Sequence, residues 1–369
     1  MIRLLCIVGS MNAGGAETFL MKVYRQLDKT KYQMDFAVAV KEKGFYDDEI
    51  RCLGGRIYYI TPKSEGVFKN FRDIKSLVKN EHYSHVLRTS QQSLSALELY
   101  AAKLGGARLR VFRSSNSNTT TGTKKQLFIH KLFMDLPLLF ANVRIAPSTE
   151  AAEYMFGKGC ITNGKAILLH NGIDFDYYKF DCQKRCELRN KLGVGKSIVI
   201  GHIGRFNQQK NHVFLLEVFY EFLKLHDNSF LVLVGVGETQ QKIRKLFEEM
   251  GIQNKVLFLG IRDDIPDILS AMDIFVFPSL YEGMPNTVIE AQAADLPCLI
   301  SENITKEAMI SDNIKYLSLN CGADEWALEA NKMIKKMRNH NTLPKEYDIK
   351  EVVKSFIDIV YRTEDDLYV

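Results

Sequence analysis

No apolar run in these 369 residues reaches the 18 or so needed to cross a bilayer, so nothing here reads as a membrane span. The opening stretch, MIRLLCIVGS, has an apolar core of only five or six residues and lacks a small-residue cleavage signal. It reads as a first β-strand rather than a secretion signal. Cysteine is scarce and scattered: seven residues, an odd number, with neither a CxxC pair nor a Cys/His cluster. That excludes a disulfide framework and a zinc site, and points to reduced thiols in a cytoplasm. The dinucleotide fingerprint is missing too, because Gly9, Gly14 and Gly15 do not fit G-x-G-x-x-G. A nicotinamide-dependent oxidoreductase is correspondingly disfavoured. There is no internal repeat and no low-complexity tract.

What is present suits a soluble two-domain protein. The length predicts two domains of roughly 150–200 residues, and 46% apolar with 25% charged residues is an ordinary globular balance. The net charge of +5 hides an asymmetry: residues 1–173 carry 25 Lys+Arg against 14 Asp+Glu, whereas the remainder carries 24 against 30. A basic half joined to an acidic half suggests that the first faces something anionic, such as a membrane surface, lipid phosphate or nucleic acid.

Short β-branched runs alternate with segments of helical period throughout. Residues 2–8, 33–40, 108–114 and 143–148 read as strands in the first half; 197–204, 230–235, 256–260, 274–279 and 297–301 do so in the second. They are continuously apolar, as parallel strands covered on both faces must be. Between them, Leu215, Leu216, Phe219, Phe222 and Leu223 form one helical face, with Asn211 as its expected N-cap. The alternation predicts α/β architecture: two Rossmann-like, doubly wound domains, 1–173 and 174–351, facing a central cleft. The closing helix, about 352–369, is expected to pack back on the first domain.

Three stretches carry chemistry. VGSMNAGGAETF (8–19) runs from strand 1 through a glycine-containing turn into a helix, where backbone amides can approach an anion. GHIGRFNQQKNH (201–212) places Arg205 and Lys210 directly after a buried strand and before a helix, concentrating positive potential where a diphosphate could sit. PSLYEGMPNTVIEAQAADLP (278–297) spaces two carboxylates, Glu282 and Glu290, eight positions apart. A helix from about Asn286 or Thr287 to Ala294, ended by Asp295 and Pro297, is expected here. Eight positions along a helix span roughly 12 Å, whereas glycosidase carboxylates sit about 5–9.5 Å apart across one bond. The interval therefore suits two hydroxyl clusters on one elongated ligand better than hydrolysis. Glu282 would accept from a hexose, Glu290 from a ribose, and a diphosphate between them would meet the amides of Gly283, Met284, Pro285, Asn286 and Thr287, proline excepted.

The E-x₇-E element, together with GGAE (14–17), HNGID (170–174), GHIGRFNQQKNH and FLGIRDDIPDILSAMDIFVFPS (258–279), resembles the motif set of the retaining nucleotide-sugar glycosyltransferases of family 4, which have the GT-B fold. The resemblance covers nearly the whole chain and is densest over 197–301. It implies that Arg205 and Lys210 hold the donor diphosphate and stabilise its departing charge, with Glu282 orienting the sugar. It further implies that Gly14 and Gly15 supply backbone donors, that Ile261 and Arg262 flank the base, and that no metal or other cofactor is needed. One departure stands out. Relatives place a histidine beyond the strand that here ends RVFRSSNSNTT (110–120), and this chain has Arg113, Ser114, Ser115 and Asn116 instead. Arg113, Ser115 and Asn116 are the candidates for acceptor contact.

The segment TKKQLFIHKLFMDLPLLFANVR (123–144) mixes Lys124, Lys125 and Lys131 with Leu127, Phe128, Leu132, Phe133, Leu138, Leu139 and Phe140. It reads either as a core helix or as one lying in a membrane interface. With the basic half, it leads to an expected cytoplasmic chain held peripherally at the inner face of an anionic membrane. The expected activity is transfer of a hexose or N-acetylhexosamine from a nucleotide, UDP by preference, to a lipid-linked or polysaccharide acceptor in surface polysaccharide biosynthesis. Nucleic acid is not an expected partner. A nucleotide-sugar epimerase of the same fold and a non-catalytic nucleotide-sugar-binding protein are the alternatives.

Overall fold

A computed structural model describes the chain except residues 13, 116–123, 336, 337, 339–341 and 362–369, and gives the backbone alone for 124–127. The chain divides into two compact units, Met1–Gly172 with Lys345–Val369, and Ile173–Pro344.

The first unit is built on a seven-stranded parallel sheet of order β3-β2-β1-β4-β5-β6-β7. Its strands are β1 (Ile2–Val8), β2 (Tyr32–Val38), β3 (Ile57–Tyr59), β4 (His85–Ser90), β5 (Leu109–Ser114), β6 (Val143–Ala146) and β7 (Ile167–Leu168). One face of the sheet packs with Phe19, Leu20 and Tyr24 of helix Gly15–Gln26 and with Val352, Phe356 and Val360 of helix Ile349–Val360. The other face buries Ile74, Leu99, Ala102 and Met155. Apolar side chains on both faces explain the continuous apolar runs.

The return of the C-terminal segment begins earlier than position 352. Residues from Lys345 onward belong to the first unit, and Ile173 to the second. Tyr347 stacks on His170 at 4.1 Å between ring centroids, and Ile349 lies so close to Gly172 that an added Cβ there would come within 2.5 Å of its Cδ1. These contacts fix the segment before the helix starts. Residues 362–369, expected to continue that helix, lie outside the described residues.

The second unit has a six-stranded parallel sheet of order β10-β9-β8-β11-β12-β13. The strands are β8 (Ile198–Ile203), β9 (Ser229–Val234), β10 (Val256–Gly260), β11 (Ile274–Phe277), β12 (Cys298–Ser301) and β13 (Ile314–Leu317). Its core joins Ile200, Leu231 and Val276 of the sheet to Leu215, Phe219, Phe222 and Trp326 of two helices. Helix His212–Leu225 starts differently from the expectation. Asn211 precedes it in the left-handed conformation (φ 53°) and makes no side-chain cap bond. The capping asparagine is Asn207, whose side chain accepts from the Lys210 amide at 3.2 Å and closes the short turn Gln208–Lys210. In both units the strand order reverses once, beside β1/β4 and beside β8/β11, and in such sheets ligands bind outside the carboxyl ends of those strands.

Candidate functional site

Beyond β8 the chain turns at Gly204 and passes Arg205 to Lys210; beyond β11 it passes Ser279 to Pro285 and enters helix Asn286–Ala293. Two bonds tie these loops together: the Leu280 amide donates to the Gln209 carbonyl at 2.9 Å, and Gln209 Nε2 donates to the Tyr281 carbonyl at 2.9 Å. Through this tie the Lys210 ammonium reaches Glu282 Oε1 at 2.7 Å, with the two side chains only 14% and 10% exposed. The ammonium also lies over the buried Phe277 ring, 4.4 Å from its centroid. A half-desolvated ion pair of this kind is strong only when both partners are held in place. The ring beneath and the two backbone ties beside it do that here.

Glycine is required where the loop after β8 runs against its neighbours. Gly235 has φ +128°, and a Cβ there would collide with the Gly204 carbonyl. At Gly204 a Cβ would lie 3.0 Å from Lys210 Cε and 3.1 Å from His202 Nε2. Two buried histidines underlie the lysine. His202 Nδ1 is bonded to the Val276 carbonyl at 2.9 Å, and His212 stacks on Phe206 at 4.2 Å. Burial pushes the His202 imidazole well below its ordinary range, aided by His212 and Lys210. Burial, then Lys210, takes His212 down to about 4. Both rings are therefore neutral at pH 7.

Arg205 behaves differently from Lys210. Its side chain is 74% exposed, with only a loose pairing to Glu238 at 3.8 Å. Glu290 is buried on helix Asn286–Ala293 and hydrogen-bonded to the Tyr178 hydroxyl. Burial chiefly, and then this carboxylate, drive the Tyr178 phenol far up. Tyr178 ends the short helix Phe175–Tyr178, whose N-cap is Asp174, accepting from the Tyr177 amide at 3.0 Å. Gly283 and Pro285 are buried, Met284, Asn286 and Thr287 half-buried, and no side chain caps the helix behind Pro285. Ile261 is exposed, and Arg262 is a two-point partner of Asp264 at 2.8 and 2.5 Å. Lys210, Glu282 and the start of helix Asn286–Ala293 are thus gathered at one pole of the second sheet. Phe277, Gln209, His202, His212 and Tyr178 had no sequence signal marking them as its supports, since each is an ordinary core or loop residue type.

In the first unit Gly14 precedes helix Gly15–Gln26 in extended conformation, and a Cβ there would collide with the Glu17 carboxylate. At Gly15 a Cβ would meet nothing within 4 Å, so space alone does not require that glycine. Arg113 is enclosed, contrary to a direct acceptor contact. Its guanidinium donates to Asn171 Oδ1 at 2.5 Å and lies 3.9 Å over the Phe19 ring, and burial takes its pKa down to about 9. The end of β5 points this side chain inward. Ser115 is half-buried, its amide donating to the Ser90 carbonyl at 3.2 Å. Asn116 lies outside the described residues.

Residues 184–351 match the sequence profile of the family described as Glycosyl transferases group 1. A protein named as a glycosyltransferase, EpsF of Bacillus subtilis (strain 168), is 33% identical over 311 residues, which are 83% of this chain and 80% of that one. A second relative is the UDP-Gal:alpha-D-GlcNAc-diphosphoundecaprenol alpha-1,3-galactosyltransferase of Escherichia coli. It is 28% identical over 285 residues, 73% of this chain and 72% of that one. Among solved structures, Anabaena HepE in complex with UDP-glucose superposes with a TM-score of 0.79 at 17% identity, over 97% of this chain and 99% of that one. A glycosyltransferase from Rickettsia africae ESF-5 superposes equally well, 0.79 at 17% identity over 97% of each chain. At such identities the likeness is one of fold, and that fold is GT-B.

Proposed function

The chain belongs to the group 1 glycosyltransferases, and on that footing we propose that it transfers a hexose or N-acetylhexosamine, with retention, from UDP to a lipid-linked or polysaccharide acceptor in surface polysaccharide biosynthesis. The observation that carries this reading is the Lys210–Glu282 pair at the carboxyl ends of β8 and β11, beside an uncapped helix N-terminus. A nucleotide diphosphate brings two phosphates, and Lys210 with the first amides of helix Asn286–Ala293 offers positive charge for them. Arg205, exposed and loosely paired, is able to swing onto the same group. Glu282, paired with Lys210, accepts from sugar hydroxyls; Glu290 accepts from the ribose, its carboxylate steadied by Tyr178. Ile261 and Arg262 flank the base. The donor is handled without a metal, the two cations standing in for one.

In the reaction, the bond from the anomeric carbon to the phosphate oxygen breaks, and its electron pair goes to the departing diphosphate. The acceptor hydroxyl attacks the same face of an oxocarbenium-like state and passes its proton to the leaving phosphate oxygen. Glu282, engaged by Lys210, is no free nucleophile, so stabilising the leaving charge supplies most of the acceleration. Relatives named for lipid-diphosphate sugar acceptors and for capsular polysaccharide biosynthesis support the acceptor class. No helix of the described residues is long and apolar enough to cross a membrane. The exposed Phe128, Leu132 and Leu139, beside the exposed Lys131, support a peripheral contact with an anionic surface.

Acceptor-dependent release of UDP is the test. Lys210→Ala and Arg205→Ala should each lower turnover by ~10²-fold or more, the scale of losing one charge-stabilising donor. Near-normal turnover in both variants would remove the assignment, and product formed without acceptor would indicate epimerisation instead.

A further inference from the structure

Cys6, Cys160 and Cys298 are buried, and Cys52 is exposed on the first unit. Cys182 and Cys186 are both exposed, and both stand on helix Cys182–Lys191 of the second unit, four positions apart. Residues at that interval share one face of a helix, with Cβ atoms about 5–6 Å apart. The next pair along the same helix shows that side chains meet across it, since Gln183 Nε2 donates to Glu187 Oε1 at 2.9 Å. Cys186 also stands in the wall of a hollow of about 570 Å³, with Arg185, Arg189, Lys196 and Asp273. That hollow includes Ser197 and Ile198, at the amino end of β8, and so lies away from the loops that carry Lys210 and Glu282. We propose that the two cysteines form a reversible dithiol–disulfide site, oxidised by small carboxylate-bearing disulfides, in which Cys186 reacts first and Cys182 resolves.

Charge sets the order of events. The wall around Cys186 holds three cations against one carboxylate. Two of the cations are engaged: Arg185 pairs with Asp273 at 2.5 Å and Arg189 at 3.2 Å, and they donate further to the carbonyls of Ser270 and Ala271. Lys196 is exposed and meets an incoming carboxylate. The acids flanking the cysteines are themselves taken up, Asp181 by the amides of Gln183 and Lys184 at 2.8 and 3.0 Å, and Glu187 by Gln183. The Cys186 thiolate attacks one sulfur of the small disulfide, whose S–S bond breaks, and one half leaves as a thiolate. The Cys182 thiolate then attacks the Cys186 sulfur of the mixed disulfide and expels the second half. Two protein thiols are oxidised, one small disulfide is reduced to two thiols, and the two cysteine protons end on the departing sulfurs. A disulfide needs Cβ atoms about 3.5–4.5 Å apart, so closure draws the pair together by roughly 1–2 Å. Cys182 is the first residue of the helix, and its amide lies outside the intrahelical ladder, so the first turn is the part that yields. An exposed bridge closed in this way is readily reduced again.

Incubation of the reduced full chain with oxidised glutathione, followed over time by mass spectrometry of its peptides, tests the site. Cys186 should pass through a mixed disulfide to a Cys182–Cys186 bridge, which dithiothreitol reopens. Cys182→Ser should stop at the mixed disulfide on Cys186, and Cys186→Ser should form no bridge. The exposed Cys52 is the reference within the same molecule. Cys186 should outpace it roughly tenfold with oxidised glutathione and by much less with the uncharged 2-hydroxyethyl disulfide, because a cationic wall raises the local concentration of an anion. Lys196→Gln, or high salt, should remove most of that preference. Unchanged urea midpoints of the reduced variants show that they are folded. Cys186 modified no faster than Cys52, or a wild-type mixed disulfide that persists without bridging to Cys182, would overturn the proposal. Both outcomes are read without sugar donor or acceptor, so they leave the transferase assignment to its own test.

Discussion

His202 and His212 sit beneath Lys210 as neutral rings, and both nitrogens of His212 are buried with no hydrogen-bond partner. An unfolded histidine titrates near 6.5, whereas His212 in the fold titrates near 4, chiefly through burial. Between those values the unfolded chain takes up a proton that the folded one refuses. Stability contributed by the neutral ring is therefore complete above about pH 6.5 and is lost as pH falls toward 4, at up to about 1.4 kcal/mol per pH unit. His212→Phe keeps the stack on Phe206 and removes the titration. Urea unfolding at pH 7 and pH 5 should show a pH-dependent loss smaller by on the order of 1–2 kcal/mol in the variant. An equal loss in both proteins would mean that this ring is not held neutral. Nothing in the sequence marks these histidines as supports, because a lone histidine has no pattern. Lys210 and the two glutamates stood out in the sequence because each follows a buried strand, β8 for the lysine and β11 for the glutamates, in a strand–loop–helix stretch.

Among elements, the parallel strands of unbroken apolar character were read correctly to within a few residues, and helix Asn286–Ala293 starts and stops where proline, asparagine and aspartate suggested. β3, β4, β7 and β13 were not legible. β4 reads HVLRTS, with Arg88 and Ser90 lining a cavity at the β1/β4 reversal point, so an apolar-run criterion passes over it. β3 and β7 have only three and two residues. The C-terminal helix was legible from its apolar face, but its earlier attachment through Tyr347 and Ile349 was not, because contact with His170 and Gly172 spans nearly half the chain. Gly172→Ala tests that attachment. Its Cβ would lie 2.8 Å from the Ile349 Cα, a backbone position that cannot simply swing aside. The variant should lose about 1–3 kcal/mol of unfolding free energy in urea, and unchanged stability would show that the segment is not anchored there.

For the whole molecule, the basic balance of residues 1–173 and the exposed Phe128, Leu132 and Leu139 together predict adsorption to anionic vesicles. Because each lysine or arginine near such a surface contributes about 1 kcal/mol within a Debye length, sedimentation with phosphatidylglycerol vesicles should be strong at low salt and weak at high salt. Phosphatidylcholine vesicles should bind little. Equal binding to both lipids would refute an electrostatic contact. The sequence by itself determined the two parallel α/β units, the motif order and the placement of Lys210 and Glu282 in loops that follow buried strands, because apolar periodicity and loop spacing are local quantities. Only the tertiary structure decided that Lys210 pairs with Glu282 while Arg205 stays exposed, that Arg113 turns inward to Asn171, and that Lys63, Arg88 and Glu98 share one cavity. Those outcomes depend on which strands become neighbours in the sheet, and a side chain's partner across strands is set by that order rather than by its place along the chain.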